Sequence, residues 1–67
     1  MYFTYVLYSK QNDRIYVGQT NDIDTRLEKH NAGKVKSTKA YIPWRLLICE
    51  SFDTRAKAMR RESELKS

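Results

Sequence analysis

A chain of 67 residues holds at most one small domain, running 1–67, and a chain of this size buries only about 60% of its unfolded surface. Its lone cysteine, Cys49, excludes an internal disulfide. With no secretory leader and no apolar run of membrane-spanning length, the chain reads as a cytoplasmic domain that does not enter a membrane.

The formal charge is +5, and its placement says more than its sum. No acidic residue falls between Lys29 and Cys49, whereas Lys29, Lys34, Lys36, Lys39 and Arg45 all do. Elsewhere 8 basic residues balance 8 acidic ones, so this one stretch carries the whole surplus. Such a segment suits a polyanion such as nucleic acid, although a solvated lysine-rich loop has the same composition.

"YFTYVLYS" (2–9) is aromatic and β-branched and reads as a strand. Phe3, Tyr5 and Leu7 line one face and Tyr2, Val6 and Tyr8 the other, which predicts a strand covered on both sides. The turn residues "QNDR" lead into a second strand, "IYVGQT" (15–20), and the pair reads as a hairpin. A first helix begins at Thr20, Asn21 or Asp22 as N-cap, runs through "IDTRLEKHN" and stops at Gly33. "KVKSTKAY" is polar and irregular, and Pro43 closes that loop. "WRLLICESF" (44–52) reads as a third strand, apolar on both faces, with Trp44, Leu46, Ile48 and Phe52 as core and Cys49 as a small buried residue. Asp53 or Thr54 caps a second helix, "RAKAMRRESELK". The order is β-β-α-β-α.

Side-chain placement follows from these elements. A hairpin loop with an even number of residues puts Tyr5, Leu7, Tyr16 and Gly18 on one face; a four-residue loop pairs Ser9 with Arg14, Leu7 with Tyr16 and Tyr5 with Gly18. On the first helix, Ile23, Leu27 and His30 form the i, i+4, i+7 stripe, with Arg26 on its border. On the second, Ala58, Met59, Glu62 and Leu65 share a stripe that a carboxylate interrupts. Either Glu62 serves a cation or metal, or it lies at the stripe's edge and pairs with Arg26 or reaches water. Two phenols, a guanidinium, an imidazole and one carboxylate beside a basic loop suit phosphodiester hydrolysis. That reaction requires a deprotonated water, neutralised phosphoryl oxygens and a stabilised leaving oxygen. One carboxylate is too few for a two-metal site but enough for one Mg²⁺ that keeps most of its waters.

With "YVG" (16–18), "FTY" (3–5), Arg26, His30 and "RRE" (60–62) in place, the chain resembles the GIY-YIG nuclease superfamily, and most closely its small stand-alone bacterial members. The first motif keeps only its tyrosine, and Lys39 stands where some members carry a second basic or histidine residue. The resemblance implies an α/β (α+β) fold with a small three-stranded antiparallel sheet flanked by helices. It implies a metal-dependent endonuclease that hydrolyses DNA, whether structured or single-stranded, with one ion of Mg²⁺ or Mn²⁺. In that scheme the catalytic set is Tyr5, Tyr16, Arg26, His30 and Glu62. Glu62 holds the metal, Arg26 neutralises the scissile phosphate, one tyrosine acts as base with its pKa lowered by nearby cations, and His30 handles protons. Gly18, Lys34, Lys36, Lys39 and Tyr41 are the expected nucleic-acid contacts. The alternatives are a non-catalytic nucleic-acid-binding module, or an accessory domain acting with a partner protein.

Overall fold

A computed structural model describes residues 1–67. Strand β1 (Tyr2–Ser9) pairs with β2 (Arg14–Thr20); helix α1 (Ile23–Asn31), strand β3 (Arg45–Phe52) and helix α2 (Arg55–Lys66) follow, with a 3-10 turn at Lys39–Tyr41 before β3. The three strands form one antiparallel sheet in the order β2-β1-β3. The most apolar strand is therefore central, and Thr4–Leu7 of β1 are all buried, as two covered faces require.

The hairpin has the register of a four-residue loop: Ser9 faces Arg14, Leu7 faces Tyr16 and Tyr5 faces Gly18. Asp13, at φ 51°, supplies the left-handed residue that turns the chain. Asp22 is the cap of α1, accepting from the Thr25 N–H. At the other end Gly33, at φ 76°, closes a Schellman motif in which the Gly33 and Lys34 N–H groups donate to the His30 and Lys29 carbonyls. Thr54, accepting from the Lys57 N–H, caps α2, and Asp53 pairs with Lys57 at 2.9 Å.

The two faces of β1 are covered differently. Tyr5, Leu7 and Trp44 form a core with Tyr16, Ile23, Leu27, Tyr41 and Ile42 packed around them. On the opposite face α2 lies against the sheet, and the buried Thr4 hydroxyl donates to the Ala58 carbonyl at 2.6 Å. Asn31 ties α1 to the start of β3, accepting from the Trp44 N–H at 2.7 Å and donating to its carbonyl at 3.0 Å.

Three expectations are corrected. Leu46, Leu47 and Ile48 are 38%, 49% and 43% exposed, Cys49 is exposed and Phe52 is half-buried, so β3 is not a strand covered on both faces. The reason is topological: β3 is an edge strand, α2 packs chiefly over β1 and β2, and a bulge at Leu47 breaks the register between Val6 and Leu7. On α2 the inward stripe runs through the buried Ala58 and the half-buried Arg61, Glu62 and Leu65; Met59 turns outward, and Arg61 makes a paired contact with Glu50 at 2.7 and 3.4 Å. The lysine segment is not wholly irregular, since it contains the 3-10 turn. No helix is long and apolar enough to cross a membrane.

Candidate active site

The site is built on the sheet face beneath α1. Tyr5 and Tyr16 stand on neighbouring strands with ring centroids 6.2 Å apart, and His30 comes down from the last turn of α1 at 5.9 Å from one ring and 5.0 Å from the other. Gly18 is what lets the two phenols share this space. A Cβ there would lie 2.7 Å from the Tyr5 hydroxyl, 2.8 Å from its Cζ and 2.9 Å from Tyr16 Cε2.

The Tyr5 hydroxyl is the hub. It lies 3.0 Å from His30 Nε2 and accepts from Arg26 Nε at 3.4 Å, while both Tyr5 and His30 are buried. The outer flank of Arg26 borders a polar cleft of about 350 Å³ at the start of α1, lined also by Thr20, Asn21, Asp22, Thr25 and Lys29. His30 Nδ1 is 2.8 Å from the buried Thr38 hydroxyl, and the Trp44 indole N–H donates to the Thr38 carbonyl at 2.9 Å.

Burial dominates the electrostatics. It raises the Tyr5 pKa, outweighing the hydrogen bond from Arg26 that pulls it down, with the charge of Glu62 adding to the rise. Of the cations expected to lower a catalytic phenol, Arg26 acts in that direction on Tyr5, and burial outweighs it. Burial, and then the Arg26 charge, push His30 below its usual value, so the imidazole is neutral at pH 7.

Glu62 approaches from the other helix. Its charge reaches Tyr5, but its direct partner is Lys66 at 2.7 Å, and the alternative of a pair with Arg26 is not realised. No group of three ligating side chains occurs in the chain. The half-buried Glu62 carboxylate fits a divalent ion held through one carboxylate and its own waters, with Lys66 as its competitor.

The structure separates the expected nucleic-acid contacts. Lys34, Lys36 and Lys39 are exposed and make no ion pair. Gly18 is buried against the phenols, on the α1 face of β2. Tyr41 is half-buried beside Trp44, with the Arg14 guanidinium 4.6 Å from its ring centroid. The sequence reading missed Thr38, Trp44 and Asn31 as parts of the site. Thr38 lies in a lysine-rich stretch with no periodicity to mark it as buried.

A three-stranded antiparallel sheet whose central tyrosine meets an arginine and a histidine from one helix defines a small α+β domain with a buried phenol–imidazole–guanidinium cluster. The whole of residues 1–67 matches the GIY-YIG catalytic domain, and the chain belongs to the GIY-YIG family. It is similar to small members designated UPF0213. It is 39% identical over 67 residues to the protein of Staphylococcus haemolyticus, covering 98% of this chain and 80% of that one. It is 42% identical over 57 residues to that of Haloquadratum walsbyi, covering 84% of this chain and 64% of that one. The solution NMR structure of a UPF0213 protein from Bacillus halodurans superposes with a TM-score of 0.58 at 38% identity, over 98% of this chain and 71% of that one.

Proposed function

We propose that the protein is a metal-dependent endonuclease that hydrolyses DNA phosphodiester bonds at the Tyr5–Arg26–His30 cluster. The observation that carries this reading is the Tyr5 hydroxyl, held at once by a neutral imidazole and a guanidinium. A binding module has no need of a buried phenol–imidazole contact, whereas hydrolysis needs a proton acceptor beside a cation.

In this reading DNA approaches along the exposed lysines, and Arg26 turns its charge from Tyr5 to the scissile phosphoryl oxygens. The Tyr5 oxygen takes a proton from the attacking water as its own proton passes to His30 Nε2, so that the imidazole ends positively charged and the water oxygen is free to attack phosphorus. Tyr5 is assigned this part, rather than Tyr16, because it alone of the two is hydrogen-bonded to His30. Tyr16, half-buried beside it, orients phosphate or water. Glu62 is the residue that would hold Mg²⁺ or Mn²⁺, whose bound form supplies charge neutralisation at the phosphate. With no separate recognition element in these residues, affinity rests on phosphate contacts.

The pairing of Glu62 with Lys66 favours a second reading, a nucleic-acid-binding module that uses the same basic loop without cutting. Nicking of supercoiled plasmid in Mg²⁺ or Mn²⁺ by wild type and Glu62→Ala separates the two. The nuclease reading expects cutting by wild type and its loss in the variant with DNA affinity retained. Equal binding by both with no cutting by either overturns it.

A further inference from the structure

We infer that Thr38 is a positioning residue that fixes the tautomer of His30, with the proton on Nδ1, so that Tyr5 is obliged to donate its hydroxyl proton to Nε2. This deepens the nuclease reading and rests on it for its catalytic consequence, but the tautomer itself stands on geometry alone.

Protons and acceptors in this buried cluster can be counted. Tyr5, His30 and Thr38 are 1%, 0% and 1% exposed, so no bulk water completes their hydrogen bonds. A neutral imidazole carries one N–H, and two arrangements are open. If the proton sits on Nε2, it is donated to the Tyr5 oxygen, which already accepts from Arg26 Nε; the Tyr5 hydroxyl proton then has no acceptor among its neighbours. If the proton sits on Nδ1, every donor is used. His30 Nδ1–H donates to the Thr38 hydroxyl, Tyr5 O–H donates to the bare Nε2, and Thr38 O–H is left with a long 3.4 Å bond to the Val35 carbonyl, which also accepts from the Thr38 and Lys39 N–H groups at 3.1 and 3.0 Å. The second arrangement gives every donor an acceptor, the Thr38 bond being the weakest, whereas the first leaves the Tyr5 proton with none, and an unpaired buried donor costs about 1–3 kcal/mol.

Thr38 is itself held from three sides. Its N–H donates to the Val35 carbonyl at 3.1 Å, its carbonyl accepts from the Trp44 indole at 2.9 Å, and its hydroxyl meets His30 at 2.8 Å. Trp44 is in turn gripped by Asn31, the residue after His30. The segment between α1 and β3 therefore does more than carry lysines: it closes over the imidazole and sets which nitrogen is free to receive a proton.

The chain has one histidine, so ¹⁵N-labelled imidazole signals belong to His30 without ambiguity. At pH 8 the wild-type full chain is expected to show a protonated Nδ1 and an unprotonated Nε2; a protonated Nε2 in wild type overturns the inference. Thr38→Ser keeps the hydroxyl and is expected to keep that pattern. Thr38→Val keeps the volume, removes the acceptor, and is expected to shift the ring toward the Nε2-protonated form. Plasmid nicking is expected to fall about 10- to 100-fold in Thr38→Val and to recover in Thr38→Ser, as for partners that orient a ring through its second nitrogen. A Thr38→Val protein that keeps both the wild-type ring signals and the wild-type rate also overturns the inference. Should wild type cut nothing, the nuclease reading fails, and the ring signals alone decide the role of Thr38.

Discussion

Gly18 and Tyr5 sit directly opposite each other across the β1–β2 pair, and a Cβ on Gly18 would come within 2.7 Å of the Tyr5 hydroxyl. The glycine is thus a spacing device: it leaves room for a phenol to lie flat over the neighbouring strand and meet a helix. Gly18→Ala is expected to displace both tyrosine rings, costing about 1–3 kcal/mol in thermal or denaturant unfolding. Any cleavage activity is expected to fall with the Tyr5–His30 contact. An alanine variant as stable as wild type would show that the rings give way freely.

His30 links stability to pH. Its folded pKa lies below the ordinary 6.5 because burial and Arg26 disfavour the charged ring. Above about pH 6.5 both folded and unfolded chains hold a neutral imidazole, and the contribution is complete. As pH falls below that value the unfolded chain takes the proton first, so stability declines until the depressed folded pKa is reached. Thermal melts of wild type across this window are expected to show the decline, and His30→Gln is expected to flatten it.

Lys66 holds the carboxylate that is proposed to bind the metal. Lys66→Met is expected to raise Mn²⁺ affinity by up to about 5-fold, the equivalent of a partly exposed ion pair worth at most about 1 kcal/mol. Glu62→Gln is expected to abolish binding. Titration calorimetry with the metal alone reads both, without reference to DNA.

The side-chain parity of the hairpin, though not its exact register, was legible because it depends only on whether the loop has an even number of residues, and "QNDR" marks the turn. That put Tyr5, Tyr16 and Gly18 on one face; the helical spacing of Ile23, Leu27 and His30 brought the imidazole down onto it. Burial on β3 was not legible, since apolar residues on a strand do not reveal whether the sheet edge is covered, and Leu46, Ile48 and Cys49 proved exposed for that reason. The depth of Tyr5 was not legible either, because residue types reveal a neighbouring cation but not how far a phenol is buried. Thr38 was invisible for a third reason: a buried hydroxyl in a lysine-rich segment has no pattern, and only the folded loop shows that it reaches His30.

The exposed lysines between α1 and β3 are expected to act on DNA as point charges. Replacing Lys34, Lys36 and Lys39 together with alanine is expected to weaken binding to all sequences alike. It is also expected to reduce the slope of log affinity against log salt by about 2 to 3, at roughly 0.9 for each phosphate that is no longer neutralised. Fluorescence anisotropy over a salt series measures both. An unchanged slope would remove these residues from the interface.

The most direct test of phosphodiester hydrolysis at this cluster is single-turnover plasmid nicking by Tyr5→Phe in Mn²⁺. This change keeps the ring and removes only the oxygen that joins His30 to Arg26. A rate at least about 100-fold below wild type, with DNA affinity intact, is the expected result. Nicking as fast as wild type would contradict the assignment and place the chemistry elsewhere.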